Sequence, residues 1–415
     1  MIKRFLLFVL IASQSFLVFS QAEEILPPDF IKTIVFKGGT NQAQLPVLRL
    51  GQPFSLEFDA LNGNEEDFYY KIEHFDFDWK PSQLVKGEYL QGVDNVRILN
   101  YLNSQNTFQI YSHYDLAIPN IQTKGLTKSG NYMITIFDDY GEVMFSRKFM
   151  IVENVVNVGV QPKRTRNFET IETKQIVNVK INTSNINLNN PLETVKIKII
   201  QNNNLKTAIT DLKPQFLTGQ ELIYRYDNKA SFWAGNEYLF FESKNERAAT
   251  IGIQFIDLKD LYHTYLFKQI PRYNRPYTWN PDINGNFLIN AIDVDNVDTD
   301  ADYTMVHFTL LADEMPDKDV HVYGNFNNFE VENMTRMVYN REANQYETIL
   351  KLKQGFYNYK FVTVDLDGNL NEGDISGNFW QTENNYKVLV YYRDLGARFD
   401  RLIGFGEADS ERITN

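Results

Sequence analysis

Two acidic groupings and five histidines are the residues that could do chemistry in this 415-residue chain. Asp76 and Asp78 flank Phe77, so on a strand both carboxylates would face one side. Such a pair can supply the acid and base of glycoside hydrolysis. A half-buried strand shows the same pattern whenever its acids face water opposite buried aromatics, and that reading takes precedence. A denser run carries Asp293, Asp295, Asp298, Asp300 and Asp302. Hard cations such as calcium want several carboxylate oxygens. The run lacks the turn glycine and the closing glutamate of an EF-hand, however, and an acidic solvated linker accounts for it equally well. None of His74, His113, His263, His307 and His321 pairs with another at a ligand spacing. Four of them, all but His263, fall in strand-like segments and read as core or interface histidines.

No G-x-S-x-G elbow places a serine on a sharp turn, and no glycine-rich loop enters a helix to cradle phosphate. Cysteine is absent, which removes thiol nucleophiles, thiolate metal sites and disulfides together. The expectation is a protein with no catalytic residue, no cofactor and no metal. Lys plus Arg number 41 against 53 Asp plus Glu, a net charge of −12, so the basic excess of a nucleic-acid binder is missing. Apolar residues at 43% and aromatics at 14% exclude the disordered class, because this composition can bury a large core.

The elements that carry these residues are strands. Phe54, Leu56 and Phe58 alternate, as do Tyr132, Ile134 and Ile136, the period-two pattern of half-buried strands. Phe68, Tyr70 and Ile72 keep one phase and Phe75, Phe77 and Trp79 the other, which predicts a bulge near His74 or a strand changing sheets. Asp138 to Gly141, Lys353 to Gly355 and Asp367-Gly368 read as hairpin turns. Short strands at sandwich spacing continue as far as Tyr392.

The expected fold is therefore all-β, with three consecutive immunoglobulin-like or early-set β-sandwiches. The expected boundaries are 25–154, 155–292 and 303–400, with an acidic linker at 293–302 and a tail at 401–415. Residues 1–20 read as a cleaved secretory signal: Lys3 and Arg4 precede a short apolar run, and small residues end at Ser20, with cleavage before Gln21. The run is too short and too interrupted for a membrane span. Without cysteine there is no lipid anchor, so attachment to any membrane would come from a partner. The segment with Tyr273, Tyr277 and Trp279 is aromatic and proline-punctuated. It reads as an ordered crossing loop and as the candidate for partner binding, since exposed aromatics anchor interfaces.

Gly324 to Phe329, followed by Leu352 to Phe361, resembles the early-set immunoglobulin-like modules found beside glycogen and starch enzymes. Phe329 stands where those modules usually carry a Trp, and Trp380 is the one Trp of the block. That resemblance motivates a rival expectation, a non-catalytic glycan-binding protein. A broader set of strings resembles the plug family of the type IX secretion system of Bacteroidota. They include His74 to Ser82, Glu88 to Gly92, Asn100 to Thr107, Tyr111 to Tyr114 and Ser129 to Tyr132. Near the end come Gln381 to Tyr386, Val390 to Arg393 and Arg398 to Gly404. The resemblance implies a periplasmic protein, one copy in a hetero-complex, docked at the inner face of the outer membrane. It would sit on the periplasmic mouth of the translocon barrel and reversibly close that pore.

Overall fold

The computed structural model describes residues 21–38, 45–411 and 413. The signal-peptide expectation, including Ser20, lies outside these residues. Three two-sheet sandwiches account for nearly all strands, as the alternation demands. In the first, one sheet orders the strands Ile31–Lys37, Phe54–Ala60, Ser112–Ile118 and Asn100–Asn103. The facing sheet orders Val47–Arg49, Val143–Val152, Gly130–Phe137, Tyr69–Phe75 and Val96–Arg97. Phe54, Leu56 and Phe58 point into the core between them, where Phe58 stacks on Tyr114 at 5.1 Å and meets Phe68 and Phe145 edge-on. The turn at Asp138 forms as expected: its Oδ1 accepts the Tyr140 and Glu142 amides at 3.0 and 2.8 Å, and Gly141 takes a left-handed φ of 86°.

The expected bulge near His74 is absent. Tyr69–Phe75 pairs with residues 131–137 in unbroken register and then stops. Asp76 to Lys80 form a tight turn in which the Trp79 amide donates to Asp76 O at 3.0 Å and Trp79 adopts φ 59°. The phase change marks a strand end, because a turn also reverses which residues face inward.

The sheet pairings divide the remaining chain differently from consecutive blocks. The middle sandwich joins Asn157–Arg164, Lys174–Asn182, Glu221–Tyr224 and Phe216–Thr218 in one sheet. Its second sheet orders Asn204–Ile209, Val195–Gln201, Asn385–Tyr392 and Arg401–Asp409. The last two strands thus leave the expected third block, and the expected tail is a strand whose Leu402 and Ile403 are fully buried. Conversely, Leu239–Glu242, Ile253–Leu258, Tyr262–Leu266 and Phe287–Ile289, all inside the expected 155–292 block, pair within the third sandwich. Their partners there are Gly355–Asp365 and, through Tyr262–Leu266, Tyr303–Leu310. The physical reason is ordinary: strands pair where their apolar faces close a core, not where they are adjacent in sequence.

Lys353 to Gly355 is not a hairpin either. Gln345–Lys353 and Gly355–Asp365 lie in opposite sheets, and the chain crosses between them at Gln354. Asp367-Gly368 does close a hairpin, with Thr363 opposite Asn371.

The outer faces of the first sandwich are covered by its neighbours. Phe75, Phe77, Trp79, Met133 and Met150 form a joint core with Ile200, Leu389, Tyr391 and Leu402 of the middle sandwich. On the other side, Asp59 is buried against the third sandwich. It accepts from His113 Nδ1 at 2.6 Å, Lys353 Nζ at 2.7 Å and the Tyr303 hydroxyl at 2.6 Å. The segment 293–302, expected as a solvated linker, completes this junction. Asp302 is buried and accepts the amides of Phe108, Gln109 and Tyr303 at 2.6, 3.1 and 2.8 Å.

Candidate docking surface

The long connection between Tyr262–Leu266 and Phe287–Ile289 leaves the third sandwich and returns without forming a strand of its own. Proline at 271, 276 and 281 denies it ladder hydrogen bonds and stiffens it. Its base is nevertheless tied down. The Arg272 amide donates to Ile375 O at 2.7 Å, and the Arg272 guanidinium donates to Glu237 O at 2.8 Å. Tyr277, one of the three aromatics expected to bind a partner, turns inward. Its hydroxyl donates to Glu237 Oε1 and its ring lies 5.9 Å from that of Phe379. Tyr273 and Trp279 remain 58% and 62% exposed. The loop therefore presents two aromatic side chains outward on a backbone that Tyr277 and Arg272 hold in place.

Beneath it lies a cluster of acids that sequence reading missed. Glu237 is buried, and Asp282 accepts the Tyr238 and Asn284 amides at 2.5 and 2.6 Å. Glu383 accepts from Asn284 Nδ2 at 3.2 Å, and its amide donates to Glu237 Oε1 at 3.1 Å. Burial raises all three carboxyls, Asp282 and Glu383 to about 7, and their mutual repulsion adds to the effect for Asp282 and Glu383. These residues are far apart in the chain and carry no local motif, so no sequence signal could have grouped them.

The sign of the pH effect follows. Raised carboxyl pKa values mean that the folded loop keeps protons the unfolded chain has released. That stabilisation is complete below the ordinary carboxyl range and is lost as pH rises through about 7. Amide exchange in residues 272–284 is expected to be slower at pH 5.5 than at pH 8 once corrected for intrinsic rates, by about tenfold or more. Asp282→Asn should flatten the difference, and an equal pH dependence in that variant would contradict the assignment.

The other candidate residues disperse. Asp76 is buried and ion-paired with Arg393, while Asp78 is half-exposed and pairs with Lys80 at 2.8 Å. The two serve different partners across a turn and do not form a carboxylate pair. Of the aspartate run, only Asp298 joins other ligand-type groups. With Glu57 and His113 it forms the one such cluster among the described residues, within 4.8 Å. Lys37 already reaches Glu57 at 2.6 Å and Asp298 at 3.5 Å. Burial would lower the His113 pKa, but hydrogen bonds to Asp59 and Glu57 outweigh it and hold the imidazole up at about 9. Two cations, Lys37 and the His113 imidazolium, thus supply the counter-charge of this cluster.

His263 and His307, read as unpaired, are cross-strand neighbours with Nδ1 and Nε2 2.8 Å apart. Strand pairing brought them together over an interval no spacing rule covers. Phe329, at the position where early-set modules usually carry a Trp, is 2% exposed and packs on Tyr323, and Trp380 is half-buried with the Arg164 guanidinium 4.3 Å from its ring centre. Phe329 thus offers no open ring face to a sugar, and one face of Trp380 is taken by Arg164.

Residues 31–153, the whole of the first sandwich, match the family described as type 9 secretion system plug protein, first domain. The chain belongs to the type 9 secretion system plug family. A solved structure of a hypothetical protein from Parabacteroides merdae ATCC 43184 extends the likeness to the whole fold. It is 32% identical, covers 94% of this chain and 100% of its own, and superposes with a TM-score of 0.89. A marsupial T cell receptor aligns at 10% identity, over 82% of this chain and 98% of its own, with a TM-score of 0.17, too low to carry an argument. No curated protein matches the chain. Among the described residues of this plug-family chain, no helix is long and apolar enough to cross a membrane.

Proposed function

We propose that the chain is a non-catalytic periplasmic plug that docks on the periplasmic mouth of the type IX translocon barrel and reversibly closes its pore. Membership of the plug family carries this reading. The architecture supports it, because a closure must not deform under a leak. A shared apolar core joins the first and middle sandwiches, and a buried ionic junction joins the first and third. Three sandwiches joined in this way form a wide, stiff body. A specific interface of ordinary size, roughly 1,600 Å² or more, is needed to hold such a body on its partner. Tyr273 and Trp279 are the proposed anchors: both are exposed, carry large contact area, and sit on a loop whose backbone is already ordered.

A tagged chain should copurify with an outer-membrane barrel, and deleting the gene should raise permeability to bulky antibiotics. The Tyr273→Ala/Trp279→Ala chain should fold normally and hold the barrel at least tenfold more weakly, the scale of losing central aromatic anchors. A stably exported protein that recovers no barrel, and whose loss leaves permeability unchanged, would defeat the plug reading. Full barrel recovery by the double variant would remove only the anchor assignment.

A further inference from the structure

Where the segment beginning at Gln21 crosses the meeting point of the three sandwiches, a cavity of about 680 Å³ opens. Phe77, Trp79 and Lys148 of the first sandwich, Lys198 and Leu205 of the middle one and Glu330 of the third line it. Lys198 lies on Val195–Gln201 between Ile197 and Ile199, which face the middle core. It therefore projects the opposite way, into the junction, and is only 4% exposed.

An ammonium carries three donors, yet among the described residues this one makes a single hydrogen bond, to Phe77 O at 3.3 Å. The rings of Phe77 and Trp79 lie 5.2 and 5.5 Å away. No carboxylate of the described residues is within ion-pair reach of it. Three of the four acids along the cavity wall are occupied elsewhere, and the fourth, Glu23, makes no ion pair with Lys198. Glu24 accepts from the Lys148 amide and Asn328 Nδ2, both at 2.5 Å, Glu330 pairs with Lys206, and Asp78 pairs with Lys80. Lys148 also lacks an ion pair among them and lies 4.6 Å from the Trp79 ring centre. Two ammonium groups thus face one aromatic wall beside open volume, in a protein of net charge −12. Burying a cation without a counter-ion is unfavourable, and an entering anion would relieve that penalty.

We propose that this cavity binds a carboxylate, with the anionic head on Lys198 and Lys148 and an apolar tail along Phe77, Trp79 and Leu205. A monoanion fits better than a phosphate dianion, since Glu23, Glu24 and Asp78 border the site and would repel a second charge. Burial, then the charge of Lys148, lowers the Lys198 pKa to about 7, so the site can take up a proton as the anion enters. The carboxylate could belong to a free organic acid or to the C-terminus of a peptide.

Hexanoate, hexanol and a short apolar peptide with a free or amidated C-terminus separate these cases, read by calorimetry and by the Lys198 side-chain NMR titration on the mature chain. Hexanoate or the free-ended peptide should bind saturably and move the Lys198 titration to higher pH, whereas hexanol and the amidated peptide should not. Binding by the peptide alone would assign the site to a chain end, and binding by hexanoate to a free acid as well. Lys198→Met keeps the side-chain volume and removes a buried charge, so the chain should fold and lose affinity at least tenfold. Absence of saturable binding by either carboxylate, equal binding of hexanol, or undiminished binding by folded Lys198→Met would overturn the proposal.

Discussion

Asp59→Asn is expected to destabilise the folded chain by about 3–5 kcal/mol, the cost of removing one member of a buried ion pair and stranding its partners. Asp59 and Lys353 are essentially inaccessible, and the carboxylate also holds His113 and the Tyr303 hydroxyl. Asparagine preserves the shape but not the charge, so the Lys353 ammonium, 4.2 Å from the Tyr111 ring centre, would be left with neutral contacts. Thermal unfolding should begin at the seam between the first and third sandwiches, with a midpoint lowered by about 5–10 °C.

The same junction sets a pH dependence. His113 is held at about 9 in the fold, above its ordinary value. Its stabilisation is therefore complete below the ordinary imidazole pKa and is lost as pH rises through about 9. Wild type should lose stability across that window, and Asp59→Asn should lose less. The joint replacement Asp59→Leu/Lys353→Met, which removes both charges, should recover much of the loss. A single Asp59→Asn variant as stable as wild type would show that the junction is not held by this network.

Deleting residues 401–415 should abolish the folded middle sandwich. Arg401–Asp409 pairs with Asn385–Tyr392 along eight residue pairs, Leu402 joins the core shared with the first sandwich, and Ile403 joins the middle core. The burial of those two side chains contributes about 1.5–3 kcal/mol each, before any backbone pairing is counted. The total approaches the 5–15 kcal/mol that a whole domain possesses. Loss of soluble chain, or loss of the cooperative transition by circular dichroism, is the expected result.

A point variant asks the same question with the chain intact. A Cβ at Gly406 would sit 2.7 Å from Val158 O, so Gly406→Val should weaken the contact between Arg401–Asp409 and Asn157–Arg164. A truncated chain with unchanged melting would mean that the last strand is dispensable.

Much of the architecture is legible in period-two patterning. Phe54, Leu56 and Phe58, or Tyr132, Ile134 and Ile136, announce half-buried strands because a pleat sends alternate residues to opposite faces. The all-β class and the number of sandwiches follow from repeating that local rule, and the turn at Asp138 follows from its own side chain capping its own backbone. The family-like strings, from His74 to Ser82 through Arg398 to Gly404, carry the functional direction in the sequence alone.

What the patterning could not express is the second burial of the same strands. Glu57 and Asp59 look like the solvent-facing partners of Phe58, and Asn131 and Met133 those of Tyr132, yet neighbouring sandwiches bury all four. The aspartates at 298 and 302 read as linker charge until packing turned one into a junction ligand for three amides and the other into a neighbour of His113. Tyr273, Tyr277 and Trp279 look equivalent in sequence, and only the position of Glu237 separates the inward ring from the two outward ones.

Local chemistry thus determined what most segments are: strand, turn or acidic run. Tertiary structure alone decided which strands share a sheet, so that the last strand belongs to the middle sandwich, and which charges find partners. The physical reason is range. Pleating and turn formation act between residues a few positions apart, whereas core closure and ion pairing join whatever the folded chain brings together, and only folding determines those distances.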